Sequence, residues 1–357
     1  METQEKKDEK YLHFEQGKIY FFISFALVCG GKSTFFEEIK SQTEKEKEKE
    51  KYNISLVSSD KIREELSLKM QKENPKMTFK QCFDKVGRDT AKEFDTQIKN
   101  AIDSANNEKI NIILVDKNYP QGIDKFLKLF CKNKESQFFL VFIPNIKKPI
   151  DINGIKFPFS LSYLFQCYLR LKNRHGHEVL NGEDESSKLV YLSFFKLFQN
   201  FDFYNKIYSN DEYAKNVFLQ KIDFTDENKE IEVDKDIEEF FNGVIKHLKA
   251  FDMDSIKKYH ENNINKFFGA IEDKYDGKNF FNDTRELIKN QVQDLLEKGI
   301  IIKKDYKWFC RRHFFQCFDQ ILVINSRPKP DRLPAALDDA DCIEDPFAYN
   351  DWHFLFI

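Results

Sequence analysis

The sequence predicts an α/β protein, a parallel sheet flanked by helices with a phosphate-binding loop at the end of its first strand. Three observations predict it. Four apolar runs, KIYFFISFAL, NISLV, INIILV and SQFFLVFIP, are separated by helical patterns, the alternation that builds a parallel sheet. These runs are rich in β-branched and aromatic residues and largely unbroken by polar ones, as strands buried on both faces are. Between the first run and its helix stand Gly30, Gly31, Lys32 and Ser33, the end of a G-x-x-x-x-G-K-[ST] pattern whose first glycine is replaced by Ala26.

Composition sets the limits. The 357 residues suffice for one large domain or two ordinary ones. Hydrophobic residues make up 41% of the chain and 38 residues are Phe, so a sizeable core is available and a disordered chain is excluded, even with 33% charged residues. The net charge of -3 excludes a globally basic nucleic-acid binder; any nucleic acid would have to meet a local basic groove. Seven cysteines without a C-x-x-C pair support neither a disulfide framework nor a zinc ribbon, and a reducing compartment is the default. The charged start METQEKKDEK and the absence of an apolar run of roughly 18–20 residues speak against a signal peptide and a membrane span. The reading is a cytoplasmic or nuclear protein with no membrane partner.

The elements follow in order. The first strand leads into the loop, and STFFEEIKSQ after it has helical character. TEKEKEKEKEK is a solvated helix extension or loop insertion. NISLVSSDKIREEL reads as strand, turn and helix, and TFKQCFDKVGRDTAKEFDTQIKNAIDSANN as one long amphipathic helix. INIILVDKNYPQGIDKFLKLF repeats strand, turn and helix, and SQFFLVFIP is a fourth strand. From 157 the strand signal fades into helical stretches that include FPFSLSYLFQCYLRLKNRHGH, SSKLVYLSFFKLFQNF and VDKDIEEFFNGVIKHLKAF. A boundary near 250–260 separates a main domain, 17–250, from a small α+β extension, 256–357, with a Pro/Asp-rich tail.

Four groups along this path suit phosphoryl transfer. In the loop, Cys29, Gly30, Gly31, Lys32, Ser33 and Thr34 are the candidate nucleotide-binding residues. Converging N–H groups at a helix start, a lysine for the β/γ oxygens and a hydroxyl for Mg²⁺ are what a triphosphate needs. Asp60, after the second strand, is the candidate base, although an aspartate before a helix also serves as an N-cap. Arg63, one turn on, can hold an acceptor phosphate. Asp116, at the end of IILVD, can bind Mg²⁺ through water, and Asn118 either orients the acceptor or shapes the turn. Arg170 and Arg174, four apart on one helical face, can clamp a transferred phosphoryl group or form a solvated basic helix end. His175 and His177 lack the companions that would complete a metal site.

In this order, loop, D-x-x-R, hydrophobic-Asp and R-x-x-x-R, the elements resemble a P-loop 5′-hydroxyl polynucleotide kinase. More specifically, FPFSLSYLFQCYLRLKNRHGHEVL with SSKLVYLSFFKLF, together with SSDKIR and VDKNYP, resembles the kinase domain of fungal-type tRNA ligases over roughly residues 17–250. The resemblance implies a P-loop NTPase-type sheet with a helical lid. It also implies ATP or GTP as donor, Mg²⁺ bound with Ser33, Asp60 as general base, Arg63 on the acceptor phosphate, and Lys32, Arg170 and Arg174 around the transferred group. The acceptor implied is an RNA 5′-OH end, tRNA halves above all, in splicing or repair, with ligase and phosphodiesterase domains as separate partners. Cys29 and Gly30 depart from the family's loop. Lys274-Tyr275-Asp276-Gly277 matches a nucleotidyltransferase K-x-D-G with too little chain after it. NKFFGAIED resembles the opening of the phosphodiesterase module, but His313-Phe-Phe and His353-Phe-Leu lack the hydroxyl residue of its H-x-[ST] motifs. A kinase of a small metabolite and a catalytically weak nucleotide-binding scaffold are the other readings.

Overall fold

A computed structural model describes residues 11–45, 49–118, 123–133, 135–152, 155–175, 180, 182, 185–199, 201, 216–225, 269, 271–297 and 302–303. Two compact units divide the chain, residues 12–302 and, separately, 1–11 with 303–357. The larger unit holds the sheet. Most of the smaller one, with the tail, His313 and His353, lies outside the described residues, as do His177 and residues 226–268.

The sheet has five parallel strands: β1 (Ile19–Ser24), β2 (Tyr52–Ser58), β3 (Ile110–Asp116), β4 (Gln137–Pro144) and β7 (Val217–Ile222), in the order β2-β3-β1-β4-β7. Every residue of β1 and β3 is buried, which is why these strands read as largely apolar runs. Phenylalanines fill the layers beside the sheet; Phe21 stacks on Phe139 across β1 and β4 at 4.7 Å. From β1 the chain leaves toward β2 at one edge, and from its neighbour β4 toward β7 at the other. Where connections of adjacent strands diverge, a crevice opens at the carboxyl ends of the strands. The loop of residues 25–31 stands there.

Among the described residues the helices are α1 (Lys32–Thr43), α2 (Ser59–Glu73), α3 (Phe79–Lys85), α4 (Gly87–Asp103), α5 (Ile123–Phe130), α6 (Leu161–Lys172), α7 (Glu185–Leu197) and α8 (Gly277–Glu297). A short antiparallel pair, β5 (Ile150–Ile152) and β6 (Ile155–Phe157), precedes α6.

Three expectations change. The single helix expected from Thr78 to Asn107 is two: a Thr78–Gln81 capping box starts α3, and at Val86 (φ -79°, ψ 2°) the chain ends α3 and opens α4. A fifth strand, β7, appears where the strand signal had faded; among the described residues it pairs with β4 alone, so VFLQKI carries polar residues that a central strand would not. The third change concerns α8. It packs on α1 and α6 within the same unit as the sheet, whereas the sequence placed it in an extension beginning at 256. The buried stripe Thr284, Ile288 and Val292 fixes it there. Gly277 owes its identity to this packing, because an added Cβ would overlap the Leu169 carbonyl on α6.

Candidate active site

The loop begins where β1 ends and closes into α1. Gly30 donates its N–H to the Leu27 carbonyl at 2.9 Å, making the tight turn. A Cβ on Gly30 would meet the Tyr163 hydroxyl at 2.6 Å, so only glycine fits. Gly31, the N-cap of α1, takes φ 95° and no side chain caps the helix. The first intrahelical bond is Phe35 N–H to the Gly31 carbonyl, so helix geometry leaves the N–H groups of Lys32, Ser33 and Thr34 without an acceptor in the helix. That is the anion-binding end of a helix.

β3 lies beside β1 and brings Asp116 to this end. Lys32 Nζ forms an ion pair with Asp116 Oδ1, and Ser58, in register with Asp116 on β2, donates to its Oδ2 at 3.1 Å. Ser33, exposed at the start of α1, is also hydrogen-bonded to this carboxylate. Burial pushes the Asp116 carboxyl up, but the Lys32 ammonium and the Ser33 and Ser58 hydroxyls outweigh it and hold the group below its ordinary value. The carboxylate therefore stays charged. Ser58 escaped the sequence reading; the signal available was the pair of serines closing a strand before Asp60.

Asn118 follows β3 and donates from Nδ2 to the Ala26 carbonyl at 2.7 Å, tying the β3 turn to the start of the loop. Ala26 itself is fully buried, which accommodates its small Cβ where the pattern has glycine.

Cys29 adopts φ 60°, the one non-glycine residue with positive φ among the described residues. A side chain in this left-handed region is costly, which is why glycine is usual there. Arg174 Nη1 sits 3.8 Å from Cys29 Sγ. Burial raises the thiol's pKa, and the Arg174 and Arg170 guanidinium groups only partly offset it, so the sulfur is a thiol beside the arginines.

The two arginines do not share one helical face. α6 ends at Lys172 with Asn173 as its C-cap, so Arg170 lies inside the helix and Arg174 beyond it. Arg170 is 3% exposed. It donates from Nη2 to the Phe224 carbonyl at 2.8 Å and from Nε to the Phe280 carbonyl at 3.2 Å, joining α6 to the chain after β7 and to α8. Arg174 is half-buried at the loop.

Asp60 is exposed in the first turn of α2, whose N-cap is Ser58. It is therefore not the cap itself. Arg63, one turn on, lies over the Phe83 ring at 3.8 Å and donates from Nε to the Phe83 carbonyl at 3.0 Å. The hydrogen bond to the carbonyl is made by Nε and not by the outer guanidinium nitrogens. Both residues stand at the sheet end where the loop lies.

Among the described residues no cluster of three or more His, Cys, Asp or Glu could hold a metal, and no helix is long and apolar enough to cross a membrane.

No protein-family model matches the chain, and no curated protein matches it. Twelve solved chains do match. One, titled "Crystal Structure of Fungal RNA Kinase", is aligned over 73% of this chain and 100% of its own at 13% identity, with a TM-score of 0.35. A likeness of that size is a distant relation of fold and assigns no residue a role.

Proposed function

We propose that this chain is an RNA 5′-hydroxyl kinase, transferring the γ-phosphoryl group of ATP or GTP to an RNA end of the kind that tRNA splicing or RNA repair produces. The observation that carries the proposal is the meeting of Lys32, Ser33 and Asp116 at the uncapped start of α1. Free N–H groups and Lys32 suit the β and γ phosphates. The Ser33 hydroxyl and Asp116 carboxylate are neighbouring hard oxygen donors that fit Mg²⁺, Asp116 through water; the ion would neutralise charge on the transferred phosphate.

Chemistry then needs a base and a clamp. The 5′-hydroxyl oxygen attacks the γ-phosphorus, the bond to the β–γ bridging oxygen breaks, and Asp60 accepts the hydroxyl proton. Arg174, beside the loop, stabilises the charge spreading over the phosphoryl oxygens. Arg170 acts from behind by holding the framework. Arg63 offers its outer nitrogens to the acceptor phosphate, and Asn118 steadies the loop. The Asp60-x-x-Arg63 pair and the resemblance over residues 17–250 support an RNA acceptor, with ligase and phosphodiesterase activities supplied by other domains.

The left-handed Cys29 under Arg174 favours a second reading, a scaffold that binds nucleotide without turnover. Transfer of labelled γ-phosphate to a short 5′-OH RNA, with ATP and GTP in parallel, separates the two. Lys32→Ala and Asp60→Asn should each abolish transfer. Nucleotide binding without transfer in the unaltered protein would establish the scaffold, and phosphorylation of a free nucleoside with none of RNA would point to a metabolite kinase.

A further inference from the structure

A helix from far along the chain walls in the last residue of the loop. Gly31 has φ 95°, and a Cβ there would lie 2.8 Å from Ile288 Cδ1, 3.2 Å from Thr284 Cγ2 and 3.7 Å from Phe224 Cδ1. Gly31 thus sits in a fitted socket formed by α8 and the segment after β7. Hydrogen bonds lock the walls together. Gln291 on α8 accepts from Asp223 N–H at 2.8 Å and donates to the Asp223 carbonyl at 2.7 Å. Arg170 ties the Phe224 and Phe280 carbonyls to α6.

We propose that Ile288, supported by Thr284 and Gln291, is a positioning residue for the phosphates of the bound NTP. It rests on the reading that this loop binds a nucleotide. The argument is conformational. A glycine can exchange positive for negative φ at little steric cost, and such an exchange at Gly31 would turn the peptide that opens the N–H array of α1. The Ile288 terminal methyl is the nearest atom to where a Gly31 side chain would stand, so it restrains the glycine from that side and sets the array before the ligand arrives. A loop held in its binding shape spares the ligand the ordering cost.

The test compares Ile288→Val with Val292→Ala in the full chain. Ile288 and Val292 are one turn apart on α8 and both 0% exposed, but Ile288 supplies the atom nearest Gly31. Ile288→Val deletes that methyl and little else. Calorimetric titration with Mg·ATP and Mg·GTP should show Kd weakened roughly three- to tenfold, the affinity equivalent of one buried methyl group. In turnover, KM for the NTP should rise while kcat holds. Val292→Ala should cost at least as much in urea stability and leave Kd unchanged, and Ile288→Leu should restore affinity. Wild-type Kd in Ile288→Val, an equal loss in Val292→Ala, or no nucleotide binding by the unaltered chain would each overturn the proposal. Intact nucleotide binding without RNA phosphorylation would instead remove the kinase reading and leave this one standing.

Discussion

Replacing Lys32 by Met removes one half of a buried ion pair and leaves the other half in place. The two side chains are 14% and 6% exposed. Breaking such a pair from one side costs about 3–5 kcal/mol, because the remaining charge loses its partner but not its burial. Lys32 is not wholly enclosed, and Ser33 and Ser58 still donate to the carboxylate, so the lower end applies. About 3 kcal/mol is expected at pH 7, or roughly 6 °C in Tm at about 2 °C per kcal/mol for a unit of this size. The pH dependence has a definite sign. In the unaltered protein the Asp116 carboxyl is held below its ordinary value, so its stabilisation is full above the unfolded-state pKa, near 4, and is lost as pH falls through the folded value. In Lys32→Met the strongest lowering influence is gone and burial dominates. The carboxyl then titrates above its unfolded value, and stability falls as pH rises past about 4. The gap between the two proteins is therefore widest near neutrality and narrows in acid. Urea unfolding at pH 7 and pH 4 measures it. Adding Asp116→Asn to Lys32→Met should recover about 2 kcal/mol at pH 7, since the buried charge is gone. A loss below about 1 kcal/mol at pH 7, or an equal loss at both pH values, would refute the reasoning.

Two further outcomes are expected. Cys29→Gly relieves a left-handed side chain worth about 1–2 kcal/mol, less about 0.5–1 kcal/mol of added unfolded-chain entropy; urea unfolding should show a small net gain, and a clear loss would mean that the Arg174 contact outweighs the strain. Arg170→Met strands the Phe224 and Phe280 carbonyls and should cost about 2–4 kcal/mol in the same assay, whereas an arginine lying free on a lid would cost almost nothing.

What could be read from the sequence followed the length scale of each signal. β1, β3 and β4 are buried on both faces, so their apolar runs show without knowledge of neighbours. The loop is legible for the same local reason: Gly30 and Gly31 are demanded by a tight turn and a positive φ within a few residues. Val86 hid because the apolar spacing of α3 continues into α4 without a proline between them. β7 hid because Gln220 and Lys221 interrupt its apolar run after three residues. Arg170 and Arg174, four apart, read as one face, yet α6 ends at Lys172, and the carbonyls that hold Arg170 belong to Phe224 and Phe280, which no local window contains. Ser58 needed the register of β2 against β3.

The position of α8 bears on how the protein comes into being. β1 is the central strand and is made early, but the socket on Gly31 needs Ile288 and Gln291, roughly 260 residues later. At about 5–20 residues per second, a nascent chain carries the loop unsupported for on the order of 13–50 s. A release or stall before α8 emerges yields a sheet whose Gly31 lacks the wall formed by Ile288 and Thr284. If the loop binds nucleotide as proposed, that ability would be acquired only near the end of this unit's synthesis, once residue 291 has emerged.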